Sequence, residues 1–269
     1  ILEALYGEEV AVEASILARR ALEDTLRRLA SAGQSTALTQ LQAGLDPDAL
    51  FSLVPYEKGY LLLVALEHAV GRSRFDTFIH GYIEQFRFRS VTTEDFVGYL
   101  ADQLPEAELD LDPWLYQDGL PPDAPRFHSA RLEIVSVWAA EFARGAPVVA
   151  PTDWNAVEKL FCLQEVGVVD TARCLVLHEA LDLGTSANAE LRSAYLALAA
   201  RAEVPGCEEE LCAFLDDVGR TKLLRPVVEA MISAPSLRVL ARERVEANAT
   251  RLHRSTRMTL DAILAAGPL

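Results

Sequence analysis

Apolar residues recur at helical spacing along most of the chain, and alternating apolar and polar runs of the kind that predict β-strands are almost absent. Val10, Ala14, Leu17 and Ala21 begin an apolar stripe that predicts a helix from about residue 8 to residue 30. Residues 31–55 contain Gly, Pro and Asp and predict loops with a short helix.

Three further helices are predicted in the first half of the chain. One runs from Tyr56 to about Val70 and ends at Gly71, and the next covers Phe75–Phe86. The third begins at 92–95, where Thr-Thr-Glu-Asp supplies an N-cap hydroxyl and first-turn acids that suit the helix dipole.

The second half of the chain is predicted to form successive short helices. We predict a domain boundary in the Pro- and Gly-rich stretch 113–125, because Trp114-Leu115-Tyr116-Gln117-Asp118-Gly119-Leu120-Pro121-Pro122 cannot continue a helix. The predicted domains are therefore 1–112, a linker at 113–125, and 126–269. The predicted helices of the second domain are 130–143, 153–164, 172–181, 190–202, 208–218, 226–232 and 237–264. The fold class is all-α, with a bundle or an armadillo-like solenoid in the second domain.

The first residues indicate that the chain is a fragment. Ile-Leu-Glu-Ala-Leu-Tyr-Gly has no Met and no secretory signal pattern, and it predicts the end of one helix, a break at Gly7 and the start of another. We interpret the chain as a processed or excised piece, and any targeting signal would lie upstream.

Composition narrows the partners that the chain can have. The 269 residues carry 40 acidic and 25 basic side chains, a formal charge of −15, which disfavours nucleic acid and anionic membrane as partners. No apolar run is long enough to span a bilayer. The four cysteines lack metal or disulfide spacing, so we expect buried, reduced thiols and a cytoplasmic location.

The most specific stretch is Val-Pro-Tyr-Glu-Lys-Gly-Tyr at 54–60. Pro55 suits a helix entrance and would place Tyr56 in the first turn. There the phenol could project into a cleft and donate a hydrogen bond to an oxyanion. Spacing alone favours the simpler alternative, a tyrosine that packs its ring and exposes only its hydroxyl.

Residues 54–96 resemble the C-terminal lobe of gluzincin zinc aminopeptidases, a thermolysin-like fold. The resemblance rests on Val-Pro-Tyr-Glu-Lys-Gly, then Leu66-Glu67, Gly71, Phe78, Tyr82, Phe86 and Thr92-Thr93-Glu94-Asp95-Phe96. It implies that Tyr56 stabilises the transition state beside a catalytic zinc, with short peptides as substrates.

Within those enzymes, the chain is most similar to leukotriene A4 hydrolase and aminopeptidase B. The supporting stretches are 114–122, Asn-Ala-Glu-Leu-Arg at 188–192, Gly-Arg-Thr-Lys at 219–222 with Arg225-Pro226, and Asp-Pro-Asp at 46–48. This likeness implies that Arg220 and Lys222 bind a substrate carboxylate and that Asp48 lines the substrate channel. The simpler alternatives are cations that complement a helix dipole and an ordinary turn aspartate.

The chain departs from that family in two ways. Phe51 stands where leukotriene A4 hydrolase has a tyrosine, which argues against lipid epoxide hydrolysis. No His-Glu-x-x-His occurs, and His178-Glu179-Ala180-Leu181-Asp182 is a chance partial match because Asp182 replaces the second histidine. We therefore expect the zinc ligands in an N-terminal segment outside this chain, and the chain alone to be inactive and without zinc.

Two functions remain open on the sequence. In the first, the parent protein is a zinc aminopeptidase to which this chain supplies Tyr56, Asp48, Arg220 and Lys222. In the second, it is an inactive family member or a helical scaffold that binds a protein partner.

Overall fold

A computed structural model describes residues 2–39, 52–184 and 186–267, and those residues form helices joined by turns, with no strand among them. The all-α prediction is therefore confirmed. The chain groups into two compact units, Ala14–His128 and a second unit made of Ile1–Glu13 with Ser129–Leu269. The predicted domain boundaries and the armadillo-like name stay predictions.

The helices of the first part of the chain are α1 to α6. Their bounds are α1 Leu2–Tyr6, α2 Glu8–Ser31, α3 Val54–Val70, α4 Arg72–Phe86, α5 Thr93–Gln103 and α6 Asp112–Leu115. The predicted capping of α5 is confirmed, because Thr92 Oγ1 accepts from the Asp95 N–H at 3.2 Å and the Thr92 N–H donates to the Asp95 carboxylate at 3.0 Å. The predicted break at Pro113 holds a one-turn helix instead, since proline is tolerated in a first turn.

The core of unit 14–128 is built around α3. Leu22 of α2, Leu61 and Leu66 of α3, and Trp114 are all buried in one cluster. Gly81 in α4 is required by close packing, because a Cβ there would lie 2.3 Å from the Tyr99 hydroxyl oxygen. The rings that meet between α4 and α5 are those of Phe78, Tyr82, Phe86, Phe96 and Tyr99.

The other unit contains α7 to α14. Their bounds are α7 Ala130–Ala143, α8 Ala156–Glu165, α9 Thr171–Ala180, α10 Ala189–Arg201, α11 Glu208–Asp217, α12 Thr221–Ser233, α13 Arg238–Ala247 and α14 Arg254–Ala266. Helices α8, α10, α12 and α14 pack in succession, and α9, α11 and α13 pack against that layer. The central helix α10 buries most of its residues.

Two helix predictions in this unit are wrong. The single helix predicted at 237–264 is divided, because Asn248 ends α13 and His253 caps α14 by accepting a hydrogen bond from the Ser255 N–H. The helix predicted at 226–232 begins earlier, at Thr221, and keeps Pro226 in its interior. An interior proline removes one backbone hydrogen bond and crowds the carbonyl four residues earlier, so the buried residues around Pro226 must supply the packing that keeps α12 continuous.

A buried glutamate joins the first residues of the chain to this unit. Glu13 is fully buried and accepts hydrogen bonds from Asn155 Nδ2 at 2.9 Å and Ser129 Oγ at 3.4 Å. Burial, with a smaller contribution from the nearby charge of Glu158, raises the pKa of its carboxyl. These contacts, with residues 116 and 142 positions further along the chain, explain why residues 1–13 group with the helices that follow Ser129.

Candidate functional site

The first turn of α3 presents Tyr56 at the surface of unit 14–128. Pro55 lies at the entrance of the helix, and the Glu57 N–H donates to the Leu53 carbonyl at 2.9 Å to close the first turn. The neighbouring Val54 is buried, whereas Tyr56 is 59% exposed. The phenol therefore projects away from the core, as in the interpretation that places it in a cleft.

Tyr56 lines a cleft of roughly 700 Å³ whose walls are largely apolar. Aromatic and aliphatic side chains of α3, α4 and α5 form most of the lining, and Thr92 and Thr93 supply its hydroxyls. The other lining residues are Leu38, Pro55, Gly59, Tyr60, Leu62, Leu63, Ile79, Tyr82, Val91, Phe96 and Leu115. Such a surface suits an apolar side chain, with phenols and hydroxyls as the polar groups that orient it.

Tyr60 and Tyr82 are residues of the cleft to which the sequence assigned no role of their own. The Tyr60 hydroxyl lies 2.8 Å from Ser15 Oγ, and its ring stacks on Phe127 at a centroid distance of 6.3 Å. Burial, and secondarily the charge of Asp95, raises the pKa of the Tyr82 phenol, so Tyr82 stays protonated and can donate a hydrogen bond. Tyr60 follows Tyr56 by four residues on α3, so helical spacing could have identified it as a residue of the same cleft. Tyr82 lies on α4 and reaches the cleft only through tertiary packing.

Lys58 follows Tyr56 by two residues on α3 and is fully buried. Its Nζ donates to the Gln117 carbonyl at 2.8 Å and to the Thr36 carbonyl at 3.4 Å. Burial lowers the pKa of Lys58 to about 8, and the negative charge of Asp118 opposes that shift. Lys58 precedes the apolar run of α3, which could have indicated a buried lysine, but its partners are 22 and 59 residues away.

Asp118 fixes the loop that Lys58 contacts. Its Oδ1 accepts from the N–H groups of Thr36 at 2.5 Å and Ala37 at 3.1 Å, and from Ser35 Oγ at 2.8 Å. These hydrogen bonds lower the pKa of the Asp118 carboxyl, so it remains ionised. The Gly119 N–H donates to Thr36 Oγ1 at 2.8 Å and completes the junction between residues 35–37 and 117–119.

Arg220 and Lys222 lie together at the start of α12, in the other unit. Arg220 is the N-cap residue, with extended backbone angles, and its side chain makes no capping bond. Lys222 lies in the first turn of α12. A cation there is disfavoured by the helix dipole, so the alternative in which these residues complement a helix C-terminus does not describe Lys222.

The surroundings of α12 hold its first turn in place. Lys222 Nζ pairs with Glu190 Oε1 at 2.7 Å, and both side chains are largely exposed. The Thr221 and Thr256 hydroxyls lie 2.7 Å apart, and Thr256 Oγ1 also donates to the Gly219 carbonyl at 3.4 Å. The Leu223 and Leu224 N–H groups both donate to the Arg220 carbonyl, at 3.0 and 3.1 Å, and the helix dipole favours an anion at this end.

The remaining sequence expectations concern Asp48, Phe51 and the metal. Asp48 and Phe51 fall outside the described residues. His178 lies against Tyr195, with the ring centroids 4.7 Å apart, in a packing role. Across residues 2–39, 52–184 and 186–267, no group of three His, Cys, Asp or Glu side chains could hold a metal ion. The side chains that the structure describes therefore do not fit a catalytic zinc.

The four cysteines are unpaired, as predicted, and Cys162, Cys174 and Cys207 are buried. Burial raises the pKa of these three thiols to about 12, 11 and 11 respectively, which disfavours the thiolate that nucleophilic chemistry requires. None of the described helices has the length and apolar character needed to cross a membrane.

Two families match the chain. Residues 1–114 match the family described as "Peptidase family M1 domain", and residues 154–264 match "Leukotriene A4 hydrolase, C-terminal". The first match contains Tyr56 and Lys58, and the second contains Arg220 and Lys222.

Curated relatives and solved structures extend the likeness to nearly the whole chain. "Leucine aminopeptidase 2" of Sclerotinia sclerotiorum is 30% identical over 94% of the chain and 44% of that protein. "Leukotriene A-4 hydrolase homolog" of Botryotinia fuckeliana is 29% identical over 94% of the chain and 41% of that protein. The structure of yeast LTA4 hydrolase in complex with bestatin superposes with a TM-score of 0.84 and 25% identity, covering 98% of the chain and 47% of that protein. The chain thus spans less than half the length of these relatives.

Proposed function

The chain belongs to the M1 peptidase family, in the group with a leukotriene A4 hydrolase C-terminal domain, and from this premise we propose that it is the C-terminal part of a zinc aminopeptidase that removes N-terminal residues from short peptides. The observation that carries the proposal is the position of Tyr56, exposed at the start of α3 and lining an apolar cleft. Because the described side chains offer no metal site, the zinc ligands of the proposed enzyme lie outside them.

Tyr56 has the chemistry for stabilising a peptide-cleavage intermediate. When water adds to a peptide carbonyl, negative charge develops on the carbonyl oxygen, and a preorganised hydrogen-bond donor lowers the energy of that state. The Tyr56 hydroxyl would donate this hydrogen bond from the cleft wall. The apolar side chains around it would hold the residue next to the cleaved bond and exclude water.

Arg220 and Lys222 would bind the C-terminal carboxylate of a short peptide. The arginine can form a bidentate pair, and the dipole of α12 favours an anion at the same end of the helix. Glu190, which pairs with Lys222 at 2.7 Å, would compete with that carboxylate and keep binding moderate. Asp48 would line the channel through which the peptide enters, and the enzyme would act in the cytoplasm.

The experiment that tests this function compares Tyr56→Phe with the wild-type full-length protein on a panel of fluorogenic aminoacyl substrates. Loss of one transition-state donor should lower kcat by roughly 10² to 10³. Tyr116→Phe is the matched control, because Tyr116 is also exposed in unit 14–128 but does not line the cleft. Its kcat should equal that of wild type, whereas a wild-type protein that cleaves nothing with zinc supplied would contradict the aminopeptidase proposal.

A second function, protein binding by the helices of the other unit, is favoured by one observation. Ile134 and Val137 of α7 are 65% and 60% exposed, and apolar side chains in such a position suit a protein partner. An inactive full-length protein that keeps this surface would be a scaffold, and the activity panel separates the two functions.

A further inference from the structure

Lys58 connects the turn that carries Tyr56 to two segments far away in the sequence. Its Nζ reaches the Gln117 carbonyl at 2.8 Å and the Thr36 carbonyl at 3.4 Å, although no solvent reaches the side chain. A buried ammonium without partners would be strongly unfavourable, so these two carbonyls and the nearby carboxylate of Asp118 are what allow it to stay charged.

The two segments that Lys58 contacts are themselves joined into one rigid junction. Asp118 Oδ1 accepts from Ser35 Oγ and from the Thr36 and Ala37 N–H groups, and the Gly119 N–H donates to Thr36 Oγ1. Two residues further on, the Thr39 N–H donates to the Leu115 carbonyl at 2.8 Å. Lys58 is therefore anchored to two backbone segments, 35–39 and 115–119, that are hydrogen-bonded to each other.

At the start of α3, Val54 and Lys58 lie one turn apart on the same side of the helix, and both are buried, so together they set the rotation of the first turn. Its N-cap residue, Leu53, provides no side-chain cap, and Ser52 Oγ accepts from the Val54 N–H at 3.3 Å. Residues two apart on a helix point about 200° from each other. Anchoring Lys58 on the buried side therefore directs Tyr56 to the opposite side, into the cleft.

From this geometry we propose that Lys58 is a positioning residue for Tyr56: its buried bonds to the carbonyls of Thr36 and Gln117 hold the first turn of α3 at the rotation that places the phenol in the cleft. The inference rests on the proposed function, since it assigns Lys58 an effect on turnover that acts through Tyr56. Small displacements of a catalytic group are costly, and one of about 1 Å can lower a rate by roughly 10².

The test is a double-mutant cycle in the full-length enzyme with the variants Lys58→Met, Tyr56→Phe and the two combined. Methionine keeps the length and the apolar stem of the side chain but removes the donors. Lys58→Met should lower kcat by about 10-fold or more and leave KM within about 2-fold, because positioning acts on the transition state. In the Tyr56→Phe background the same change should lower kcat by less than about 2-fold, since no hydroxyl remains to be misplaced.

Leu66→Ala provides a matched control for lost stability. Leu66 is fully buried on the same helix, about two turns after Lys58, so its truncation weakens the unit without removing a group of the junction. Its effect on kcat should be small and the same in both backgrounds. If Lys58→Met instead loses an equal factor with and without the Tyr56 hydroxyl, or keeps wild-type kcat, the positioning role is wrong.

Two further outcomes have to be distinguished: a Lys58→Met variant that does not fold, and a wild-type enzyme that is inactive. If Lys58→Met does not fold, Asp118→Asn replaces it in the cycle, because it keeps the shape of the junction and removes the charge that faces the lysine. The same non-additivity with Tyr56→Phe is expected at a smaller factor, and additivity would overturn the proposal. A wild-type enzyme that cleaves no substrate removes the proposed function itself, and the positioning role with it.

Discussion

The starts of α3 and α12 differ in how they hold the residues assigned to function. Neither helix has a side-chain N-cap, and each places a candidate residue within its first turn. Behind Tyr56 lies a fully buried lysine joined to carbonyls at residues 36 and 117. Beside Arg220 lies Lys222, whose ion pair with Glu190 is exposed to solvent.

This difference matches the two chemical tasks that we propose for Tyr56 and for Arg220 with Lys222. A donor to a transition state must be in place before the reaction, and a buried network supplies that preorganisation. A carboxylate binder works by charge, which tolerates adjustment of long side chains at the surface. We therefore expect substitutions near α3 to act on stability and kcat, and substitutions near α12 to act on KM.

The largest expected effect is on stability at the α3 junction. Asp118→Ala leaves the Thr36 and Ala37 N–H groups without an acceptor and Lys58 without its facing charge, which should destabilise unit 14–128 by about 3 kcal/mol. Hydrogen exchange resolved along the chain measures this as faster exchange in residues 14–128. Asp102→Ala, at an exposed position of α5, is the control and should leave exchange unchanged. Equal exchange in wild type and Asp118→Ala would show that the junction is not a stabilising element.

An intermediate effect is expected on substrate binding at α12. Arg220→Ala should raise KM for a tripeptide with a free C-terminal carboxylate by about 10-fold, which corresponds to about 1.4 kcal/mol for a charge-assisted hydrogen bond. The same tripeptide with a C-terminal amide should show little change, and kcat should be unaffected for both. Arg201→Ala, an exposed arginine at the end of α10, serves as the control. If the amide and the acid respond equally, Arg220 does not bind the carboxylate.

The smallest expected effect is a pH dependence of stability that belongs to Lys58. Its pKa is lowered to about 8 in the folded state from 10.5, so between these values the unfolded chain holds more protons and stability rises with pH. Wild type should gain up to about 1 kcal/mol over Lys58→Met between pH 8 and pH 9. The comparison with Lys58→Met removes the opposite contribution of the buried cysteines, whose raised thiol pKa values lower stability as pH rises. Parallel pH curves for the two proteins would mean that Lys58 titrates normally.

The sequence determined the helices and the residues that carry the resemblance. Helical spacing placed α2, α3 and α5 close to their observed bounds, and the capping sequence at residue 92 was read correctly. The family likeness found from Val-Pro-Tyr-Glu-Lys-Gly and Gly-Arg-Thr-Lys is confirmed by the two matching families. These signals are local, because periodicity, caps and motifs act within a few residues of one another.

Only the tertiary structure decided which groups bind Lys58 and Asp118 behind the turn that carries Tyr56. The partners of Lys58 and Asp118 are separated from them by as many as 83 residues, so no local pattern could pair them. Packing also overrode local signals at Pro226, which remains inside α12, and at residues 248–253, where capping and burial divide one predicted helix into two. In each case the deciding free energy comes from burying groups that are distant in the chain, and such contacts exist only once the chain has folded.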